Sequence, residues 1–454
     1  MGSQTLSRTP PYRGQPEAQA PVDRDAVFLT NPSRTFALYL GAMLLFLRVS
    51  MMNMVVSYLT HINFRLLYLF GLPALLSIFF VGGIRRTFEG RPAYYWAGFA
   101  LCLIGAVPFS TWRGASFSLV LTYLRVDFVM LFVVGGLVIT WRECKVMMYA
   151  VLWGGGINLA TARLFGSNEW AERAGLEFGT VANPNDFAGH LLLVIPFLLW
   201  PVFASRNYLI RIPALAGAVY GAYLILASGS RGAALGLMAV GLVFLLRGSG
   251  PQKITLLLGV PIIFMVLVGV LPQGVWNHIK SFSADSANAD GAAIQSSASR
   301  LYLLKMSVTY SLQHPLFGLG PGEFAEYEGE HNKIGGTTHG SWHEAHNSYT
   351  QVSSECGIPA ALFYIGGILS SFLLLNSAYR QARARRDCRD IRSAAFCVML
   401  GMAGYCAAIA FLNFAYFFYL PAMAGLAISF NRAAQREFRA RDADLAGSQP
   451  VGFV

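Results

Sequence analysis

Charge is scarce in this chain. Asp, Glu, Lys and Arg make up 13% of 454 residues, against 55% hydrophobic, which excludes an ordinary soluble domain. Cysteine is scarce too. Cys102, Cys144, Cys388, Cys397 and Cys406 fall in apolar or basic stretches, leaving Cys356 alone near the longest polar region. No disulfide framework is available to staple that region. Short alternating segments are missing, so a membrane barrel is excluded and helices are expected. Residues 1–35 lack an apolar core and carry Pro10, Pro11, Pro16 and Pro21. They read as a disordered tail rather than a cleaved signal peptide, which makes the first apolar run an uncleaved anchor. No internal repeat is apparent, which argues against an inverted-repeat transporter.

What is present is a series of long apolar runs. Twelve candidate spans cover 36–58, 66–83, 93–110, 117–140, 145–163, 187–204, 208–227, 229–246, 253–271, 359–379, 393–411 and 413–430. The expected fold is therefore an all-α polytopic membrane protein of about twelve transmembrane helices, each able to cross a core of roughly 30 Å. The net charge of +11 gathers in alternate loops, most densely at Arg380, Arg383, Arg385, Arg386, Arg389 and Arg392 and at Arg432, Arg436, Arg439 and Arg441. That pattern marks cytoplasmic loops rather than a nucleic-acid surface, and it puts both termini inside. The chain then divides into a cytoplasmic tail 1–35, nine spans in 36–271, one large outer loop 272–358 between spans nine and ten, three spans in 359–430 and a cytoplasmic tail 431–454.

The residues able to carry chemistry gather on the outer side. Ser228-Gly229-Ser230-Arg231 is a tight turn between spans seven and eight. Arg231 reads either as a snorkelling arginine at a helix end or as a fixed guanidinium suited to phosphate. In the large loop, Ser281–Ser299 has a flexible composition. Arg300 opens a helix whose apolar face is expected at Leu301, Leu304, Val308 and Leu312. A turn-rich run from His314 to Phe324 follows. His346-Asn347 begins a short surface helix closed by Gly357, with Pro359 opening the next span. On such a helix His346 and Gly357 share a face, and Gly357, Ala360 and Ala361 would admit a neighbouring helix beneath the histidine. His346 reads either as an interfacial histidine bridging loop groups or as a general base, mostly neutral at pH 7 on its ordinary pKa. Glu344 and Glu355 are candidate orienters, although neither shares its face. His339, His343 and His346 have spacing that could bind zinc, but a fourth ligand and a general-base Glu are missing, so no metal is assigned. Arg48, and Arg125 with Asp127, interrupt apolar runs and should face the bundle interior, the latter two neutralising each other.

These motifs resemble the bacterial O-antigen ligase and O-antigen polymerase superfamily, whose members have about twelve spans and a large periplasmic loop before the last three. The family histidine motif is matched by His346-Asn347 and Gly357, with Ala360 standing where Gly, Thr or Tyr is usual. Ser228-Gly229-Ser230-Arg231-Gly232 is similar to the family's arginine turn. Arg300, upstream of His314-Pro315-Leu316-Phe317-Gly318-Leu319-Gly320, looks like its loop arginine, and Asn183-Pro184-Asn185-Asp186 also recurs there. The resemblance covers roughly 180–365. It implies a GT-C-like enzyme in the bacterial inner membrane that transfers a glycan, with inversion, from polyprenyl (undecaprenyl) pyrophosphate to an acceptor hydroxyl at the periplasmic face. Arg231 and Arg300 would bind the pyrophosphate and His346 would deprotonate the acceptor. Arg48, Arg125, His314, Asn347 and Gly357 are supporting candidates. Metal-dependent relatives of this architecture carry carboxylates in the first outer loop; here it is His61-Ile62-Asn63-Phe64-Arg65. No metal or other cofactor is therefore implied.

Lipid A–core is the expected acceptor, as in a ligase. A polymerase or a protein O-oligosaccharyltransferase of the same family would use another lipid-linked glycan or a protein hydroxyl. A polysaccharide flippase or solute transporter is the competitor from another class, but such proteins usually lack a large loop between spans nine and ten and have two similar halves.

Overall fold

The computed structural model describes residues 31–167, 173–176, 178–181, 183–250, 291–331 and 342–447, with Leu29 and scattered positions between 253 and 276. The expected tail (apart from its last residues), the Ser281–Asp290 stretch, His339 and most of the 253–271 span lie outside the described residues. Most of the described residues are helical, and the strand pairing among them is one small hairpin, in which Gly166 and Ser167 pair with Leu176 and Gly175.

Six described helices are long and apolar enough to cross a membrane: Arg91–Phe109, Arg113–Leu137, Pro184–Ala204, Tyr208–Ala227, Ser348–Ala384 and Arg389–Phe411. A seventh span is added if Pro32–Ser50 and Met52–Thr60, bent by 67°, count as one. The chain is an all-α membrane protein by these criteria. Helices also occupy Leu66–Phe80, Trp141–Phe165, Arg231–Arg247 and Tyr419–Gly447.

Local sequence explains where these helices begin. Asn31, Asn207 and Ser230 each accept a backbone N–H at their helix starts. Thr140 and Glu143 form a reciprocal capping box at the head of Trp141–Phe165. Asn183 caps Pro184–Ala204, with Pro184 in the first turn. The Arg113–Leu137 helix passes through a π-helical turn at Tyr123–Phe128, the local widening that lets a polar side chain enter a bundle.

One end of the bundle is locked by arginine. Arg34 bonds Glu143 and Leu137 O, Arg86 bonds Gly136 O and Val81 O, and Arg432 bonds Glu89 together with Gly135 O and Val138 O. These guanidiniums satisfy carbonyls left open at helix ends.

Several expectations are corrected. The last helix starts at Tyr419, not 413, and continues to Gly447. The loop helix begins at Gly291, nine residues before Arg300. Its buried face is Leu303, Ser307, Tyr310 and Ser311, whereas Leu301, Val308 and Leu312 are exposed. The residues on that expected apolar stripe point away from the protein because the helix packs through hydroxyls, as shown below. Asp127 pairs with Arg48 from a different helix at 2.5 Å rather than with Arg125. Arg125, two residues away along the π turn, is exposed instead of facing the interior.

Candidate active site

The site is built from two segments of helix. Ser348–Ala384 is broken at Gly357, where φ is 86° and ψ 167°. A break inside a buried helix leaves carbonyls open, and the His314–Gly322 run fills them. Leu319 N donates to Ser354 O (2.9 Å), Gly320 N donates to Glu355 O (2.9 Å), and Ile358 N returns a bond to Pro315 O (2.7 Å). A Cβ on Gly357 would sit 2.2 Å from Leu316 O. Both the left-handed φ and that approach require glycine. Gly357 therefore admits a loop, not the neighbouring helix that its spacing with Ala360 and Ala361 had implied.

The same junction sets the position of Arg300. Ser307 Oγ donates to Thr350 Oγ1 at 2.8 Å, and the Ser311 and Ser353 hydroxyls lie 2.7 Å apart. Both pairs advance in the same direction, so the Gly291–Gln313 helix runs parallel to the Ser348–Cys356 segment. Leu303 and Ala345 accordingly share one small apolar cluster. Arg300 lies two turns before Ser307 on nearly the same face. Followed backwards, the register carries Arg300 just past the start of the partner helix, where His346 sits.

His346 is not on that helix. It has φ 50° and precedes Asn347, whose side-chain oxygen accepts from Tyr349 N (3.0 Å) and Thr350 N (3.1 Å). Asn347 is thus the N-cap, and its role is to hold the histidine at the mouth of a helix. The expected shared face of His346 and Gly357 does not exist. His346 is part-buried, and burial followed by the charges of Arg300 and His343 pushes its pKa down to about 4. The imidazole is neutral at pH 7.

Arg231 is the first residue of its helix, following the Ser228–Ser230 turn, in which Gly229 has φ 61°. The Arg300 charge reaches Arg231 as well as His346. These three residues therefore share one end of the bundle. A fourth member was missed by sequence reasoning. Arg173 donates from Nε to Ser228 O (2.6 Å) and from Nη2 to Asn185 Oδ1 (2.9 Å). Burial and then the charge of Arg300 lower its pKa to about 10. Arg173 ties the Asn183-Pro184-Asn185 motif to the arginine turn. Its sequence signal is no more than a place in the polar stretch 164–186 that separates the 145–163 and 187–204 apolar runs.

The remaining candidates fall elsewhere. His314 is exposed and packs edge-on against Tyr327, about 21 Å along the helix from Arg300 at 1.5 Å per residue. Arg48 is held by Asp127, by Val126 O at 2.8 Å and by the Phe418 ring. Glu344 accepts from Asn413, and Glu355 accepts from Gly322 N (3.0 Å) and Tyr416 O–H (2.6 Å). Neither carboxylate has a hydrogen bond to His346 among the described residues.

Arg173 and Arg231 each lie within range of the Arg300 charge, an arrangement that can hold a multiply charged anion. A neutral imidazole beside them can take up a proton. Residues 216–365 match the family model described as O-antigen ligase. The matched third of the chain holds Arg231, Arg300 and His346 but leaves out Arg173 and the Asn183–Asp186 motif. No curated protein matches the chain. Over residues 216–365 the chain is similar to the O-antigen ligase family.

Proposed function

We propose that this protein is a metal-independent, inverting membrane glycosyltransferase that moves a glycan from polyprenyl pyrophosphate to lipid A–core, in the manner of an O-antigen ligase. The observation that carries the reading is the convergence of Arg173, Arg231 and His346 on the charge of Arg300. In the reaction, the acceptor oxygen attacks the anomeric carbon while His346 takes the hydroxyl proton. The bond from that carbon to the pyrophosphate oxygen breaks, and its electron pair leaves with the pyrophosphate. Arg231 and Arg300 bind the pyrophosphate and oppose the negative charge that grows on it. Arg173, held by two hydrogen bonds, adds a third fixed cation.

The depressed pKa of His346 has a role in this scheme. An imidazole that titrates near 4 is a weak base, and Arg300 is one cause. A bound pyrophosphate offsets the Arg300 charge, so donor binding raises the basicity of His346 when a base is needed. The proposed topology has twelve spans, with both termini cytoplasmic and the 272–358 loop periplasmic in the bacterial inner membrane. The arginine-rich end, at Arg34, Arg86 and Arg432, lies opposite the site, as the positive-inside rule requires.

The test is reconstituted protein supplied with a polyprenyl pyrophosphate-linked glycan and lipid A–core. Release of polyprenyl pyrophosphate coupled to acceptor glycosylation is expected, and His346→Ala should lose it. Undiminished turnover in that variant would reject the base assignment. Lengthening of the lipid-linked glycan in place of core modification would reassign the protein as a polymerase.

A further inference from the structure

Trp342 stands four residues before His346 and departs from its type in two ways. Its φ is 54°, a left-handed backbone that a bulky residue adopts only where the surroundings impose it. It is also 45% exposed, although tryptophan is highly buried on average. His346 shares the left-handed backbone at φ 50°, so the tryptophan and the histidine are the two ends of one tightly shaped stretch.

The indole has a built seat. It rests on Gly329 of the helix Phe324–His331, where an added Cβ would sit 2.2 Å from Cδ2 and 2.5 Å from both Cε2 and Cε3. A point nearest Cδ2 and equally far from its two ring neighbours lies over the six-membered ring, not at its edge. Glycine is required for that face-on contact, and the opposite face is left as the exposed one. Helical spacing sorts the rest of the seat. Tyr327 and Glu328 turn the other way, where Tyr327 stacks on His331 with ring centroids 4.1 Å apart and Tyr302 donates to Glu328 at 3.0 Å. Glu326 lies on the Gly329 side and exposed Glu330 on its flank. Glu344, two residues beyond the tryptophan, is exposed and accepts from Asn413.

These surroundings select a ligand. An apolar face rimmed by carboxylates repels a phosphate, and a lipid chain would cover the carboxylates without bonding them. A pyranose ring suits both parts. Its C–H bonds turn a weakly positive side to the negative face of the indole, and its hydroxyls donate to the carboxylates around it. Position selects which sugar. Four residues of chain reach at most about 14 Å, so a ring on Trp342 lies within the span of a short oligosaccharide from His346. In the inverting scheme the base stands on the acceptor's side, opposite the pyrophosphate on Arg231 and Arg300.

The geometry points to Trp342 as a stacking platform for a pyranose ring of the acceptor glycan, seated on Gly329 and placed by the same stretch of backbone that holds His346. The inference rests on the glycosyltransferase reading for which molecule is the acceptor, but the sugar contact can be tested without turnover. The full-length protein in detergent is mixed with core oligosaccharide freed of lipid A, and saturation-transfer NMR is recorded. Saturation of the C–H protons on one face of a pyranose is expected with the wild type. It should be lost in Trp342→Leu, which keeps an apolar side chain without a π face, and weakened in Gly329→Ala, which lifts the indole from its seat. Saturation absent from the wild type, or equal in the wild type and Trp342→Leu, overturns the platform.

Kinetics provide the second arm. In Trp342→Leu the acceptor KM should rise about tenfold, the upper range for one aromatic contact, with donor KM unchanged, and Trp342→Phe should recover most of the loss. A tryptophan that only held the loop would lower kcat or the melting temperature and leave acceptor KM alone. Transfer with an unchanged acceptor KM, or a rise confined to donor KM, overturns the assignment and leaves the glycosyltransferase reading standing. Trp342-dependent saturation in a wild-type protein that transfers no glycan would do the reverse.

Discussion

In the proposed reaction His346 serves as a base whose strength would depend on what else is bound. In the free site its pKa is about 4, lowered by burial and then by Arg300 and His343. The imidazole accepts a proton only when neutral, so activity is lost as pH falls through its pKa. For kcat/KM of the donor, which reports the free enzyme, the acid limb is expected near pH 4; for kcat, which reports the loaded enzyme, it should lie higher. Coincident acid limbs in the two profiles would remove the coupling between Arg300 and His346. Arg231→Lys should be nearly as damaging as Arg231→Ala, because a point charge does not replace a planar fork; a lysine variant with wild-type kcat/KM would reduce the role to charge. For Arg173→Lys, loss of the bonds to Ser228 O and Asn185 is expected to raise donor KM about tenfold, the equivalent of ~1.4 kcal/mol, which steady-state kinetics would detect. At this scale Arg231 was legible from the turn it follows and His346 from the Asn347 cap beside it, whereas Arg300 was read as opening a helix that in fact starts nine residues earlier, at Gly291. Arg173 was illegible, since its importance comes from contacts with residues 12 and 55 positions away.

The break at Gly357 is the element on which the site geometry rests. Its backbone bonds to Leu319, Gly320 and Pro315 join the arginine helix to the histidine helix, and the hydroxyl pairs Ser307–Thr350 and Ser311–Ser353 set their register. Gly357→Ala introduces a side chain at φ 86° against Leu316 O. The cost is on the order of 1–3 kcal/mol, placed at the junction. Transfer should fall more than tenfold while the protein still inserts and purifies, and hydrogen exchange should speed up selectively in 314–322. Uniform exchange rates would show that the junction does not carry the strain. Glycine followed by Pro359 made the break legible in the sequence. The partner of the break was not, because nothing local says which loop will supply the missing donors. The arginine helix was read with the wrong face inward for a related reason: Leu301, Val308 and Leu312 keep helical spacing, yet serine hydroxyls win the buried face by pairing with Thr350 and Ser353.

At the scale of the whole molecule, arginine serves opposite purposes at the two ends. Arg34, Arg86 and Arg432 close carbonyls and carboxylates and hold helices together, whereas Arg173, Arg231 and Arg300 crowd like charges at the site. Between them, Arg48 and Asp127 pair with side chains 11% and 15% exposed. Removing one partner of a buried pair leaves a charge uncompensated, at about 3–5 kcal/mol. Asp127→Ala should therefore lower thermal stability in detergent sharply, and adding Arg48→Met should recover most of the loss; equal melting temperatures for the single and double variants would deny the coupling. The cationic cluster, finally, is divided between two bodies. Arg300 and His346 are stapled to each other through the Gly357 junction, while Arg231 and Arg173 are pinned to the Ser228 turn and the head of the Pro184 helix. A ligand that spans both halves acts as a rivet: its two phosphates can be gripped by different parts of the protein, and a monophosphate, holding only one jaw, should be the poorer tie.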